Sequence, residues 1–301
     1  MSDASGSRPQ RQVLPQEESL RGGILPHKTM ARSRHIGTHA HHLHVSYAKS
    51  LPQRLYTYVI VPVAALALTV ILIQAFGTAV LTQAPKLRVV LTALGATFAR
   101  LLVSYFIALM IAVPLALLVT KNAVAERVFL PLFDIMQSLP VLAFFPVIIV
   151  FFVHYGLYNG AAVFVLVITM LWSIVFSLVG GLRTIPQDVR DAGKVFGLKG
   201  ISFVRTILLP AAVPYLVTGS LLAFAGGWNI IIVAEVLHTY LAGSGPSADL
   251  FGIGSMLVNA SATGAEQTFL FAIVVLVTAI ALLNLFVWQN LLAYAERFKF
   301  E

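Results

Sequence analysis

Apolar residues in this chain come in long unbroken runs rather than alternating with polar ones. A helix needs about 20 predominantly apolar residues to cross a hydrocarbon core. Six runs meet that length, at about 55–76, 99–120, 128–152, 157–182, 211–237 and 269–292. The pattern predicts an all-α membrane protein with six transmembrane helices. The third run holds Pro131, Pro140 and Pro146. Proline lacks a backbone donor and disfavours helical geometry in the residue before it, so the span should break at Leu139–Pro140. Such a break is tolerated at membrane depth where the backbone meets protein or a water-filled cavity. Pro140 is therefore a candidate pathway residue, the alternative being a kinked helix that only packs.

Composition agrees with the pattern. The chain is 58% apolar and 11% charged, against about 25% charged in a typical soluble domain. A net charge of +8 would suggest nucleic acid in a soluble protein. Here it reads as basic loops that orient the chain, and no nucleic-acid partner is expected. The absence of cysteine excludes disulfides, thiol catalysis and thiolate-ligated metals. Residues 1–50 are rich in Ser, Arg, Gln and His, with no apolar period, and are expected to form a disordered tail without a signal-peptide h-region. Its histidines (His35, His39, His41, His42 and His44) lack companion acids, and no metal site is expected there. Residues 51–301 form the expected membrane domain.

Charge also sets the topology. With the N-terminus inside, seventeen of the twenty Lys and Arg fall in the tail, residues 121–127, residues 183–210 and the C-terminal end. The outer segments keep Lys86, Arg88 and Arg100. An N-in, C-in chain follows from the positive-inside rule.

The connection between the fourth and fifth runs, residues 183–210, spans 28 residues. Pro186 can start a helix, with Asp188 and Asp191 near its positive end. Ala192, Val195 and Phe196 place apolar side chains on one face. Gly197 and Gly200 turn the chain, and a second short amphipathic helix is expected before Pro210 and Pro214 lead into the fifth span. An exposed apolar face of this kind fits a soluble protein partner.

The spacing is itself specific. Asp191-Ala192-Gly193, three residues, Gly197, nine residues, Ile207, one residue, then Leu209-Pro210 resembles the EAA signature of ABC importer permeases, E-A-A-x3-G-x9-I-x-L-P. The departures are Asp191 for Glu and Gly193 for Ala, which keep the acid and the small residue. The segments WNIIIVAEVL, FGIGSML and WQNLLAYAERFKFE resemble the nitrate/sulfonate/taurine-type branch, and the likeness covers about residues 89–301. The resemblance implies a permease subunit of a prokaryotic inner-membrane importer for a small oxyanion or sulfonate. It further implies two cytoplasmic ABC ATPase subunits, which would carry ATP and Mg, a second permease copy or sister, and an extracytoplasmic solute-binding protein. Asp191, Ala192, Gly193, Val195, Phe196, Gly197, Ile207, Leu209 and Pro210 would dock the ATPase, with Gly197 allowing the sharp turn. No G-x-x-x-x-G-K-[ST] run is present, so this chain has no P-loop of its own.

Ionisable groups at membrane depth are costly and tend to face a bundle interior or cavity. Asp134 and Glu235 qualify. Asp134 could line a pathway or be solvated at the interface. Glu235 could line a pathway, pair with Arg100, or sit at the interface. Trp228 and Asn229, on the same helix, are pathway candidates, though Asn229 could equally bond across helices. Residues 246–259 are expected to form a re-entrant or interfacial outer helix, or a surface loop. A secondary transporter or channel is the competing function; it would need an ion-coupling network and usually internal repeats, and neither is visible. An intramembrane metalloprotease would need H-E-x-x-H, which is absent.

Overall fold

The computed structural model describes residues 87–241 and 246–298, together with Val63, Ala67, Val70 and Gln74. The tail and the expected first span thus lie outside the described residues except at those four positions. The described residues contain helices and no strand.

The first helix, α1, runs Leu87–Lys121. It begins twelve residues before the apolar run expected from position 99. Nothing in 87–98 breaks a helix, and Arg88 and Arg100 interrupt the apolar run without interrupting the helix. Its 35 residues span about 52 Å at 1.5 Å per residue, more than the roughly 30 Å of hydrocarbon. Helix α2, Ala123–Ser138, is capped by the Asn122 side chain, which accepts from the Val124 amide at 2.9 Å. It ends at Leu139, and α3, Val141–His154, begins after Pro140. The two helices bend by 83°, so the third expected span is broken at the proline. The bend is exposed, with Leu139 uncovered on the chain's surface.

Helix α4 runs Tyr158–Arg183 and leads to the short α5, Gln187–Val195. The following segment differs from expectation. Instead of a separate second helix and then a span starting near 211, Gly200–Glu235 forms one continuous apolar helix. It comprises α6, Gly200–Phe203, a π-turn at Val204–Leu208, and α7, Leu209–Glu235. The Leu209 amide donates to the Val204 carbonyl. The ladder therefore shifts register one residue before Pro210, which has no N–H to give, and the helix passes through the proline without breaking. Beyond it lie 3₁₀ turns at His238–Tyr240 and Pro246–Ala248, α8 at Ile253–Ala262, and α9 at Glu266–Leu283. A second π-turn, Asn284–Trp288, joins α9 to α10, Gln289–Ala295. Among the described residues, four helices are long and apolar enough to cross a membrane, and a fifth crossing is formed if α2 and α3 count as one broken span.

The core is the seam where α4 lies between α1 and α7. Small residues set the spacing. Ser104, Ala108, Ala112 and Ala116 of α1 are buried, as are Gly219, Ala223 and Gly227 of α7. A Cβ on Gly219 would lie 2.8 Å from Ser177 Cβ and 3.1 Å from the Ser173 carbonyl. Close helix approach of this kind gains van der Waals contact where lipid offers no hydrophobic drive for association.

Gly180 and Gly181 show that adjacent glycines are not equivalent. A Cβ at Gly180 meets nothing within 4 Å, whereas one at Gly181 runs into the Tyr215 ring and its Cβ. Gly181→Ala should lower stability by about 1–3 kcal/mol through overpacking. Gly180→Ala should be neutral or slightly stabilising. Thermal unfolding of the two variants in detergent checks this; equal melting points would contradict the seam described.

Candidate functional site

Two constellations sit at opposite ends of α7. The first is the connection between α4 and α7. Helix α5 turns its Val189 and Gly193 toward the core and leaves Ala192, Val195 and Phe196 on the other side. Val195 is 85% exposed, Phe196 82% and Ile201 82%. Val195 and Phe196 lie on the short α5 and its cap, outside the helices long enough to cross a membrane, and such exposure of large apolar groups marks a contact surface.

A Schellman-type end shapes this surface. Gly197 has φ +73°, its amide bonds to Lys194 O at 2.9 Å, and the Leu198 amide bonds to Gly193 O at 3.0 Å. Only glycine takes this left-handed conformation without cost. Gly193 serves a different purpose, because a Cβ there would meet Ile207 Cδ1 and come within 2.9 Å of Phe203 Cε2. Glycine at this position lets Ile207 close against α5. Asp191 is exposed and pairs with Lys194 at 2.7 Å. Leu209 is exposed and Pro210 half-buried at the start of α7. The base of the loop is tied down by Arg183, which pairs with Glu126 of α2, and by Arg190, which donates to the Leu182 carbonyl.

The second constellation surrounds Glu235 at the far end of α7. Its side chain is 0% exposed and contacts Arg100 Nη1 at 2.6 Å, with Arg100 13% exposed. The Thr97 hydroxyl donates to Glu235 Oε1 at 2.7 Å and accepts from the Ile253 amide at 2.9 Å. The Gly254 amide donates to Oε2 at 2.8 Å. Arg100 also donates to the Phe251 carbonyl at 2.8 Å and to Asn159 Oδ1 at 2.9 Å. One carboxylate and one guanidinium thus join α1, α4, α7 and the start of α8. The FGIGSML segment is what lets the backbone come so close. A Cβ on Gly252 would collide with the Glu235 carboxylate, and one on Gly254 would lie 2.7 Å from Ile232 Cα. A buried charge is tolerated only when paired and hydrogen-bonded, and each oxygen of this carboxylate is satisfied.

Sequence reasoning passed over Asp249. Its Oδ1 accepts from the Leu237 amide at 2.9 Å, the His238 amide at 3.0 Å and lies 2.8 Å from His238 Nδ1. It holds the turn that leaves α7. The signal was an acid flanked by Ser-Ala and Leu-Phe in a connection that carries no Lys or Arg.

The remaining pathway candidates are scattered. Asp134 is exposed on α2, where its carbonyl accepts from Ser138 at 2.6 Å. Asn229 is exposed and donates to Ala225 O of its own helix at 3.1 Å. Trp228 stacks on Phe98 with centroids 6.5 Å apart, and its indole N–H is buried without a hydrogen-bond partner among the described residues. Trp172, against Phe133, is in the same condition. No group of three or more metal-ligating side chains occurs among the described residues.

Comparison with known proteins fits this architecture. The chain is 28% identical to the nitrate import permease protein NrtB of Leptolyngbya laminosa over 181 residues, 60% of each chain. It is 31% identical to the bicarbonate transport system permease protein CmpB of Synechococcus elongatus over 150 residues, 50% of this chain and 53% of that one. It is 22% identical to the taurine transport system permease protein TauC of Escherichia coli over 192 residues, 64% and 65% of the two chains. The chain thus spans just over half the length of the first of these curated relatives. The fold is similar to a chain of the MetNI methionine ABC transporter in inward-facing conformations, with TM-score 0.57, 21% identity, and coverage of 70% of this chain and 98% of that one. Residues 105–294 match the family described as binding-protein-dependent transport system inner membrane component, and with that match covering well over half its length, the chain belongs to this family of ABC permeases.

Proposed function

We propose that this chain is the permease subunit of an ATP-driven importer in a prokaryotic cytoplasmic membrane, catalysing no reaction itself. The observation that carries the reading is the α5–Gly197–α6 turn, with Val195, Phe196 and Ile201 exposed on a base fixed by Gly193 and Ile207. A separate ABC ATPase, holding ATP and Mg, would take these apolar groups into a cleft. Two permeases would form the pathway above two ATPases, with a solute-binding protein delivering cargo from outside. Relatives named for nitrate, bicarbonate and taurine transport favour a small solute with an oxyanion group.

The chain crosses six times with both ends inside, and residues 1–50 form a separate cytoplasmic tail. Two observations support placing the 121–127 and 183–210 connections on one side. Arg183 pairs with Glu126 across them, and Lys121 lines the same groove as Arg190 and Lys199. The cysteine-free sequence makes a direct test simple. Single cysteines placed as Ser33→Cys, Ser202→Cys and Ser261→Cys are the only thiols in their chains. A membrane-impermeant maleimide should label the last in intact cells and the first two only after permeabilisation. Labelling of Ser202→Cys in intact cells would reverse the topology.

Coupling predicts a separation of effects. Gly197→Val forces a β-branched residue into a left-handed conformation, at about 1–2 kcal/mol, and moves the Val195–Phe196 surface. Phe196→Glu places a charge on that surface and leaves the fold alone. Both should abolish transport-coupled ATP hydrolysis and co-purification with the ATPase, while Phe196→Glu keeps the melting point of the isolated permease. Normal coupled uptake by both variants would refute the docking role.

Glu235 serves this function as a clamp. An acid already satisfied by Thr97, Arg100 and Gly254 is a poor ligand for an anion, so an anionic cargo would be held elsewhere. Asp134, Pro140, Trp228 and Asn229 remain the pathway candidates. Removing one partner of a buried pair leaves an uncompensated charge, at about 3–5 kcal/mol. Arg100→Met should therefore destabilise strongly, and Arg100→Met with Glu235→Gln should recover much of the loss. A double-mutant cycle on thermal stability measures it, and additive losses would show that the two side chains do not act as a pair.

A further inference from the structure

Between the Lys121 end of α1 and the α5–α6 turn lies an open cavity of about 730 Å³. Its chemistry is mixed: Lys121, Arg190, Lys194 and Lys199 line it together with Leu117, Leu118, Ile201 and Leu208. Leu118 is exposed on a helix that crosses the membrane. The apolar wall is therefore continuous with the lipid-facing surface of α1, while the cations sit where that helix ends.

The four cations are not equally free. Lys194 is held by Asp191 at 2.7 Å. Arg190 uses one guanidinium nitrogen on the Leu182 carbonyl and keeps other N–H groups available. Lys121 and Lys199 are exposed and have no ion-pair partner among the described residues. The cavity thus offers more positive charge than the protein itself neutralises, beside a greasy slot reaching the bilayer. A soluble anion would use the charge and leave the slot empty. A zwitterionic lipid would fill the slot and leave the charge unmatched.

We infer that this groove binds the headgroup of an anionic phospholipid, its phosphate between Lys121 and Lys199 and an acyl chain along Leu117 and Leu118. Basic pockets between transmembrane helices on the cytoplasmic side are suited to such headgroups. The bound lipid would bridge the end of α1 to the docking turn, so membrane charge would bear directly on the element proposed to meet the ATPase. The inference rests on the proposed reading of this loop as cytoplasmic.

The test uses the full chain purified in a neutral detergent, with dioleoyl phosphatidylglycerol, dioleoyl phosphatidylcholine and inorganic phosphate as probes, read by native mass spectrometry and melting point. Phosphatidylglycerol should be retained and raise the melting point; phosphatidylcholine and millimolar phosphate should do neither. Lys121→Gln with Lys199→Gln removes the two unpaired cations and should weaken phosphatidylglycerol binding about 10–30-fold, from the contribution of each cation near a lipid surface. Arg88→Gln with Arg205→Gln removes two exposed cations outside the groove and should change binding less than about twofold. Equal losses in the two double variants would overturn the site in favour of diffuse charge attraction. Full competition by phosphate would overturn it in favour of a soluble anion. Displacement of the lipid in the assembled transporter would overturn it in favour of the ATPase as occupant. Micellar binding does not depend on sidedness. A negative lipid result with Ser202→Cys protected in intact cells therefore overturns the site alone, and reversed labelling overturns the topology alone.

Discussion

The close approach of α4 and α7 is the constraint on which the other features depend. Where Gly219 meets Ser177 and the Ser173 carbonyl, the two backbones pack with no room for a single added methyl group. The connection from Thr184 to Leu208 leaves one of these helices and joins the other, so fixing the helices fixes both feet of the loop. On the proposed reading that loop docks a partner, and a docking surface must transmit force rather than yield to it. Packed interiors are dense enough to carry small displacements as rigid shifts, and the glycine seam supplies that density beneath the loop. Arg190 on the Leu182 carbonyl and Arg183 on Glu126 add polar ties at the point where the seam ends.

At the other end of α7 the chain uses electrostatics in place of sterics. Charge pairs gain strength as water is removed, and so does the cost of leaving one unpaired. The Arg100–Glu235 pair pins the α7 end to α1 and the start of α8, and Gly252 and Gly254 admit the backbone to the carboxylate. Helix α7 is thus held at both ends by different physics. On the proposed reading, the turn at one end meets the motor, and the clamp at the other organises the outer surface. A helix restrained this way moves as one body, which is what coupling across a membrane requires.

The features legible in sequence were those set by local chemistry. Pro140 marks the break: Leu139 before it is extended, with ψ 127°, as a residue preceding proline favours, and the 83° bend lies there. Gly197 followed by an apolar run announces a helix end, and its φ of +73° agrees. The acid–small–small spacing before Ile207–Pro210 was readable because a short loop must meet several demands at once. Other features were hidden because they depend on what lies across a gap. Gly180 and Gly181 are identical as letters and differ only in whether Tyr215 is opposite. Pro210 looked like a boundary, but the π-turn before it absorbs the missing hydrogen bond, so α6 and α7 are continuous. Arg100 and Glu235 lie 135 residues apart; their pairing was one option among three until the fold brought them together. Asp249 gave still less, since an acid in a connection between spans is unremarkable until its amide and imidazole partners are in place.

The broken α2–α3 segment places a limit on what one chain can complete. A proline bend leaves backbone groups without helical partners, and in hydrocarbon these need protein or water. Here the bend at Leu139–Pro140 is exposed, and so are the apolar side chains on much of α2 and α3. Nothing among the described residues covers that face, while α4 covers the other through Phe133, Phe145 and Ile149. On the proposed reading the uncovered face belongs toward a second permease, where the bend would meet protein or a shared aqueous path instead of lipid. The same reading gives the exposed pathway candidates a place toward that second permease. Asn229, exposed on α7, uses its side chain only within its own helix, and Asp134 is exposed on α2 with its main-chain carbonyl, not its carboxylate, engaged by Ser138; on the proposed reading both side chains are free to face a partner. Glu235, fully satisfied inside one chain, does not have this character, and on the same criterion it belongs to the scaffold.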